Sequence, residues 1–386
     1  MSSAPPVGRS ILAPSPSIRE PLVHASTRPI KIGFVLLSSS RDPLPSTRIA
    51  VLNMMPFLRQ AHFEPHIVYE PEAGTEQPDL SGLAGHLAEQ GFRVVFLQKV
   101  RGPSVQALAH ELRARGIVTV YGVCDLVDPA MVEATDVTVA VTDYLRSLYP
   151  ARLQPKIHVV HDGIENAAVC KTDWGDHRGS RRRPLRAVLV TSASLTRLPV
   201  IGSPPDWLHV TVVGRYPAET DYLQRLREAR WKLLQHSAGR RMELLSFLLN
   251  RRVRCVPWDA MGVYGHLRAA DIGIIPVDTT EEATHDRPPP WRVKSENRLT
   301  LKMALGLPVI ATPIPAYEPV IEQGRNGYLA RSRDDWWAAL EALRDPHLRR
   351  IVGERARHSV LERYSMGAQA ALLIDILRRL LPGATA

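Results

Sequence analysis

Cysteine is scarce in this chain of 386 residues: Cys124, Cys170 and Cys255 lie far apart and follow no paired spacing. This distribution excludes a disulfide scaffold and a zinc knuckle, and it is typical of reduced thiols. Long apolar runs are also missing, since none approaches the roughly 18 residues that a membrane-spanning helix needs. We therefore expect a cytoplasmic protein that has neither a metal nor a redox centre.

Nucleic-acid-binding modules are absent too, although the net charge is +10. The basic residues are not interleaved with surface aromatic residues, which argues against nucleic acid as a partner. The charge suits an anionic membrane surface or a phosphorylated substrate. Segment 223–254 mixes leucines with many arginines and lysines. It is either a peripheral membrane contact or, as we favour, a pair of amphipathic helices with solvated basic faces.

The length allows two domains with full cores, because single cores stop growing at about 250 to 300 residues. We expect a disordered, proline-rich leader over 1–28, a first domain over 29–165 and a second over 187–365. The leader has no continuous apolar core, so it predicts neither a signal peptide nor an anchor. The polar, basic stretch 166–186 is interpreted as an exposed interdomain linker.

Short β-prone runs alternate with segments of helical periodicity in both halves, which predicts an α/β protein with parallel sheets covered on both faces. Strands are expected at 30–37, 65–69, 94–98, 117–121, 137–141, 187–191, 210–213, 253–256, 272–275 and 309–311. Helices are expected at 49–60, 105–115, 129–134, 334–343, 348–363 and 367–381.

Segment 294–330 is the most informative part of the chain. Its apolar residues recur at near-helical spacing up to Gly306 and Pro308, and a buried strand follows. Lys294, Ser295 and Asn297 open this helix after a polar loop that follows the preceding strand. Open parallel sheets bind ligands at the carboxyl ends of strands, next to helix N-termini that attract phosphate. We therefore expect an anion site here.

Three motifs in this region resemble the nucleotide-sugar domain of GT-B glycosyltransferases similar to family 4. They are DIGIIP at 271–276, ALGLPVIA at 304–311 and the GRNGYL turn at 324–329. More weakly, 159–164 resembles the turn that closes the first domain, and 210–215 resembles the first glycine-ended strand of the second. The resemblance implies two Rossmann-like domains with parallel sheets facing a central cleft. A C-terminal helix, 366–386, would cross back to the first domain.

The resemblance also implies a nucleotide-sugar donor, a glycan or lipid-linked acceptor and no cofactor or metal. Such enzymes usually carry a Glu-x7-Glu pair, but Val293 and Leu301 stand at those positions. A variant branch replaces the first half with a KS.N pattern, which 294–298 matches. Glu296 and Glu318 are the candidate replacements for the carboxylate that holds the nucleotide ribose.

On the donor side, Lys294 and the helix that follows it are the best candidates for a diphosphate clamp, with Ser295 beside them. Arg298 and Arg215 would add positive charge, and Trp258 resembles a position near the base. Asn297 either caps the helix or binds the donor. We assign Lys294 and Arg215 to catalysis, against the alternative of solvated surface charges.

On the acceptor side, the sequence predicts a helix N-cap and an anion site at Ser46, Thr47 and Arg48. Other candidates follow predicted strands or lie on the long loop before Lys294: Lys99, Asp125, His161, Asp162 and His285. Asp125 is the candidate acidic catalytic group, with a helix cap as the alternative. His161 and Asp162 either face the cleft or build the closing turn, and we favour the turn slightly.

These residues lead to one main hypothesis. It is a hexosyl-type glycosyltransferase that acts with retention in bacterial-type surface polysaccharide or glycoconjugate synthesis, in the cytoplasm or at the inner face of the membrane. The alternatives are a non-catalytic nucleotide- or sugar-binding protein and a nucleotide-sugar epimerase.

Overall fold

The computed structural model describes residues 28–191, 202–216, 237–280, 282–284 and 288–381, and these form two parallel six-stranded sheets. The predicted leader lies almost wholly outside this range, as does much of the basic segment 223–254. No helix in the described ranges is long and apolar enough to cross a bilayer. The α/β class and the two sheets predicted from the sequence are confirmed.

The first sheet has the strand order β2-β1-β3-β4-β5-β6. Its strands are β1 (Ile30–Val35), β2 (Phe63–Tyr69), β3 (Val94–Gln98), β4 (Val118–Val123), β5 (Val137–Ala140) and β6 (Ile157–Val159). The helices are α1 (Pro45–Thr47), α2 (Met55–Gln60), α3 (Leu83–Glu89), α4 (Pro103–Ala114), α5 (Pro129–Ala134) and α6 (Asp143–Ser147), with a π-helical segment at Arg48–Leu52 and a 3-10 turn at Gln154–Lys156.

The second sheet has the order β12-β11-β10-β7-β8-β9. Its strands are β7 (Leu185–Val190), β8 (Leu208–Gly214), β9 (Val253–Pro257), β10 (Ile272–Ile275), β11 (Val309–Ala311) and β12 (Tyr328–Leu329). The helices are α7 (Ala238–Leu249), α8 (Gly262–Ala269), α9 (Asn297–Ala304), α10 (Arg333–Ala342), α11 (Pro346–Tyr364) and α12 (Met366–Leu380).

The helix predicted over 49–60 is instead two short pieces, the π-helical segment and α2. Pro56 has no N–H to donate to the carbonyl of Leu52, so one continuous α-helix cannot form there. The N–H of Asn53 bonds to the carbonyl of Arg48 at 2.9 Å, five residues back, which produces the π-helical segment. Such π-bulges are frequent at functional sites.

The last helix, α12, joins the first domain. Met366, Ala370, Leu373 and Leu377 pack in one apolar cluster with β1 residues such as Phe34. Gln369, buried on the same helix, accepts a 2.7 Å hydrogen bond from the backbone N–H of His161. The end of the chain therefore lies against the closing turn of the first domain.

Segment 166–184 is irregular, but much of it is not the exposed linker that its polar composition suggested. The indole N–H of Trp174 donates to the carbonyl of Gly306 at 2.8 Å, and fully buried Arg349 donates to the carbonyl of Trp174 at 3.1 Å. A Cβ on Gly353 would lie 2.2 Å from the Gly306 oxygen, so only glycine fits there. The segment is packed against α11, because its carbonyl groups satisfy the buried guanidinium.

Candidate functional site

The carboxyl ends of both sheets face each other, and two pairs of side chains join them. Ser295 Oγ, just before α9, donates to Asp162 Oδ2, just after β6, at 2.6 Å. His161 Nδ1 lies 3.0 Å from Glu296 Oε1, and both side chains are almost entirely buried. His161 and Asp162 therefore contact the loop before α9 through their side chains, and they also belong to the closing turn.

Asp162 has an altered acidity. Burial raises the pKa of this carboxyl group to about 6; the hydrogen bond from Ser295 opposes that shift, and the charges of Glu296 and Glu165 add to it. A carboxylate with such a pKa exchanges protons near neutral pH, which suits general acid or base chemistry.

The predicted donor loop lies at the N-terminus of α9. Glu296, not Asn297, is the N-cap residue, no side chain caps the helix, and Asn297 is the first helical residue. Asn297 therefore does not cap the helix. Lys294 and Ser295 directly precede this N-terminus, whose partial positive charge attracts anions.

Arg298 on the first turn of α9 reaches the next strand of the sheet. Its Nη1 lies 3.4 Å from Thr191 Oγ1, at the carboxyl end of β7. Arg215 is exposed directly after β8, and the backbone N–H of Trp258, after β9, donates to the Gly214 carbonyl at 2.9 Å. A Cβ on Gly214 would lie 2.5 Å from the Thr191 carbonyl oxygen, so glycine brings these strand ends together.

Arg48 spans the cleft. Its Nε and Nη2 donate to the two Glu165 oxygens at 2.7 and 3.1 Å, and its guanidinium lies 5.2 Å from the centroid of the Trp258 ring. The Glu165 hydrogen bond, which outweighs burial, raises the pKa of Arg48. The predicted N-cap here is wrong: α1 begins at Pro45 after Leu44.

Lys99 and Asp125 form an ion pair at the cleft edge of the first sheet. The two atoms Nζ and Oδ1 are 2.8 Å apart, and Lys99 has a left-handed backbone with φ of 58°. Although burial disfavours the ammonium, acidic neighbours led by Cys124 and Asp125 raise the pKa of Lys99. Asp125 is not a helix cap, because Asp128 caps α5.

Some predicted residues lie apart from this cluster. Glu318 forms an exposed ion pair with Arg331 at 3.0 Å, and buried Glu296 already faces His161. Val293 is 4% exposed and packs in the apolar core of the first domain. His285 lies outside the described residues.

Three polar residues at or near the site were missed from the sequence: Glu165, Asn53 and Lys302. Glu165 binds Arg48, and Asn53 Nδ2 donates to the same carboxylate at 2.9 Å. Lys302 is fully buried on α9, and burial lowers the pKa of its ammonium to about 7. The only sequence signal was the position of Glu165 beside the closing turn.

A pocket opens at the carboxyl end of the first sheet, between the π-helical segment and α12. It is lined by Ser46, Ala50, Met54, Phe96, Gln98, Lys99, Gly122, Val123, Cys124, Val139, Val141, Val160, His161, Asp162 and Leu373. No cluster of His, Cys, Asp and Glu that could hold a metal ion is found among the residues the structure describes.

Comparison with known proteins finds a sequence family that part of the second domain matches. Residues 205–345 match the family described as Glycosyl transferases group 1. N-acetyl-alpha-D-glucosaminyl L-malate synthase of Bacillus anthracis is 40% identical over 83 residues, which are 20% of this chain. The match spans about a fifth of that relative, 22% of its length.

Solved structures match almost the whole chain. A glycosyltransferase from Rickettsia africae has a TM-score of 0.63 at 13% identity, covering 92% of this chain and 100% of its own. Anabaena HepE, in complex with UDP and glucose, has a TM-score of 0.60 at 13% identity, covering 91% and 100%. Sucrose-phosphate synthase from Thermosynechococcus elongatus has 0.61 at 14%, covering 91% and 99%.

Identities this low show the fold alone, and they confirm the GT-B arrangement expected from the motifs. The group 1 match adds the sequence pattern of the second domain. The chain is thus a GT-B-fold protein that resembles the group 1 glycosyltransferases.

Proposed function

We propose that the protein is a glycosyltransferase that moves a sugar from a nucleotide-sugar donor to a hydroxyl group of an acceptor. The observation that carries this proposal is the contact of Ser295 with Asp162, which joins the anion-attracting start of α9 to the strand ends of the first domain. A donor held at α9 would present its sugar towards Asp162 and the pocket beyond it. HepE, of the same fold, was solved with UDP and glucose.

In this proposal the second domain stabilises the leaving diphosphate. Lys294, Arg298 and Arg215 supply positive charge, and the α9 N-terminus adds its dipole, so charge that develops on the leaving group is compensated. Trp258, about 40% exposed after β9, offers a face for the base. No cofactor or metal takes part.

The finer parts of the proposal come from the sequence resemblance. They are transfer with retention, assisted by the leaving phosphate, and a glycan or lipid-linked acceptor used in surface polysaccharide or glycoconjugate synthesis. This mechanism needs no side-chain nucleophile, which is compatible with the apolar Val293 and Leu301.

Val293 and Leu301, which stand where the two glutamates are usual, support the alternative of a non-catalytic nucleotide-binding protein. An epimerase would release free nucleotide and invert the sugar without an acceptor. Donor-dependent formation of a glycosylated acceptor separates the transferase from both.

We also propose that the protein is cytoplasmic, and that association with anionic membrane surfaces is the alternative to the favoured solvated basic faces of segment 223–254. On α7, Met242 is 68% and Leu249 is 54% exposed, close to basic residues of the same segment. Co-sedimentation with vesicles of phosphatidylglycerol, compared with phosphatidylcholine alone, tests this. Binding to neither vesicle contradicts it.

The donor proposal is tested by thermal unfolding with UDP-, GDP-, ADP- and TDP-sugars. We expect one nucleotide class to raise the unfolding temperature, because ligand binding stabilises the folded state. The same titration on Lys294→Ala should show a much smaller increase. An unchanged unfolding temperature with every donor would contradict the proposal.

A further inference from the structure

The chemistry of the pocket on the first domain restricts the acceptor. Its floor and walls are mainly apolar, with Phe96, Val139, Val141, Val160 and Leu373 among the lining residues. A Cβ on Gly122 would lie 2.5 Å from the Phe96 ring, so glycine lets that ring cover the strand. The pocket is therefore shaped by apolar surface.

Several polar groups on the pocket lining already have partners in the protein. Gln98 Oε1 accepts from the Leu37 N–H and from Thr47 Oγ1, each at 3.0 Å. Lys99 is paired with Asp125. A buried sugar ring needs hydrogen-bond partners for several hydroxyl groups, and leaving them unmade is costly. The pocket offers few such partners.

Asp162 is the polar group at the end nearest the donor loop. One of its oxygens accepts from Ser295 at 2.6 Å, which fixes the carboxylate between the pocket and α9. A single hydroxyl group could therefore meet Asp162 while an apolar body fills the space behind it.

We propose that this pocket binds an alcohol whose body is apolar, an aromatic ring or short alkyl chain, with its hydroxyl group at Asp162. The proposal rests on the proposed function and replaces the glycan acceptor by an alcohol with an apolar body. In the transfer, the acceptor oxygen bonds to the anomeric carbon and the bond from that carbon to the diphosphate oxygen breaks. The electron pair stays on the phosphate, and the hydroxyl proton passes to the Asp162 carboxylate.

The test uses 2-phenylethanol as the apolar probe and methyl α-D-glucopyranoside as the polar one. Cys124 lines the pocket, whereas Cys170 lies on the second domain in the packed segment 166–184. Burial raises the pKa of the Cys124 thiol, so alkylation by N-ethylmaleimide is run slowly at mildly alkaline pH. Mass spectrometry then follows both cysteines.

We expect 2-phenylethanol to protect Cys124 and not Cys170, and the glucoside to protect neither. Saturation-transfer NMR should show 2-phenylethanol bound to the wild type. Leu372→Phe, which adds a ring on α12 outside the pocket, is the matched control and should also bind it. Ala50→Phe, which fills the pocket, should abolish this binding. The cysteine experiment needs no variant, so it decides even if Ala50→Phe does not fold.

Protection by the glucoside alone, or binding of 2-phenylethanol that persists in folded Ala50→Phe, would overturn the proposal. Nucleotide-sugar binding is measured on the same samples. A protein that binds nucleotide but not 2-phenylethanol contradicts the acceptor inference alone. One that binds 2-phenylethanol but no nucleotide contradicts the proposed function while supporting the pocket chemistry.

Discussion

Ser295 Oγ donates a 2.6 Å hydrogen bond to Asp162 Oδ2, and these residues are 133 positions apart in the chain. One belongs to the loop that opens α9, and the other belongs to the turn that ends the first domain. The bond therefore connects the proposed donor site to the proposed acceptor site.

Replacing Lys294 by alanine should weaken the binding of a nucleoside diphosphate. A charge-assisted contact to phosphate contributes about 1.5–3 kcal/mol, which corresponds to roughly 10- to 100-fold in the dissociation constant. Isothermal titration calorimetry measures this. Arg292→Ala, at an exposed neighbour on the same loop, is the control and should bind normally. Equal losses in both variants would contradict a specific clamp.

Asp162→Asn should slow sugar transfer by roughly 10²-fold or more, because general-base contributions are of that size. Wild-type activity should fall as pH drops through about 6, where the Asp162 carboxylate takes up its proton. The variant should lose this limb of the pH profile. The same limb in both proteins would assign it to another group.

Asp162→Asn should also change stability with pH. The folded-state pKa, about 6, lies above the ordinary value near 3.9, so wild-type stability falls as pH rises between these values. The variant should therefore be more stable at pH 7 by about 3 kcal/mol, and the difference should vanish near pH 4. Chemical denaturation at both pH values measures it, and a variant less stable at pH 7 would contradict the assignment.

Arg48→Ala should lower the free energy of unfolding by about 1–3 kcal/mol. The reason is that the Glu165 carboxylate stays largely buried but loses its charged partner. Combining it with Glu165→Gln in a double-mutant cycle isolates the pair. Strictly additive effects would mean that the bidentate contact contributes nothing.

Lys302→Met should stabilise the protein most at and below pH 7. Burial lowers the folded-state pKa of Lys302 to about 7, so wild-type stability should increase as pH rises from about 7 towards the ordinary value near 10.4. The methionine variant should lack this increase. Lys31→Met serves as the control, because the Lys31 ammonium donates to the Gln90 carbonyl at an exposed position. An identical pH dependence in wild type and Lys302→Met would contradict the burial of this charge.

Two helical glycines should respond to alanine in opposite directions. In Gly353→Ala the new Cβ would meet the Gly306 oxygen at 2.2 Å, so we expect destabilisation of about 1–3 kcal/mol or more. Nothing lies within 4 Å of the corresponding position at Gly265 in α8, where alanine should stabilise by up to about 1 kcal/mol. Thermal unfolding compares them, and a tolerated Gly353→Ala would contradict the packing of segment 166–184.

The strands were the most predictable part of the fold. Buried parallel strands such as β3 and β10 read as short continuous apolar runs, because both faces are covered. The helix around Arg48 was less predictable: Pro56 interrupts it, and the expected cap is wrong because the chain enters the helix at Pro45. Local helix propensity does not indicate at which residue a helix begins.

The polar composition of 166–186 was misleading for a related reason. Its backbone carbonyls bind Arg349, which the sequence places on a distant helix. Strand-end reasoning did identify Lys99, Asp125 and Lys294 as neighbours of the cleft edges. It could not foresee that Asp125 neutralises Lys99, because that contact depends on the loops after β3 and β4. It also could not foresee that Glu296 meets His161, because that contact depends on how the two domains dock.

In the proposed reaction, a nucleotide-sugar bound at α9 gives its sugar to an alcohol in the first domain. The most direct measurement is mass spectrometry of reactions that contain the purified protein, each nucleotide-sugar in turn and 2-phenylethanol or a glycan acceptor. We predict one donor for which nucleoside diphosphate and glycosylated acceptor appear in equal amounts, with far less of both in Lys294→Ala. Donors that all remain intact, or that release nucleotide without any glycosylated acceptor, would contradict the account.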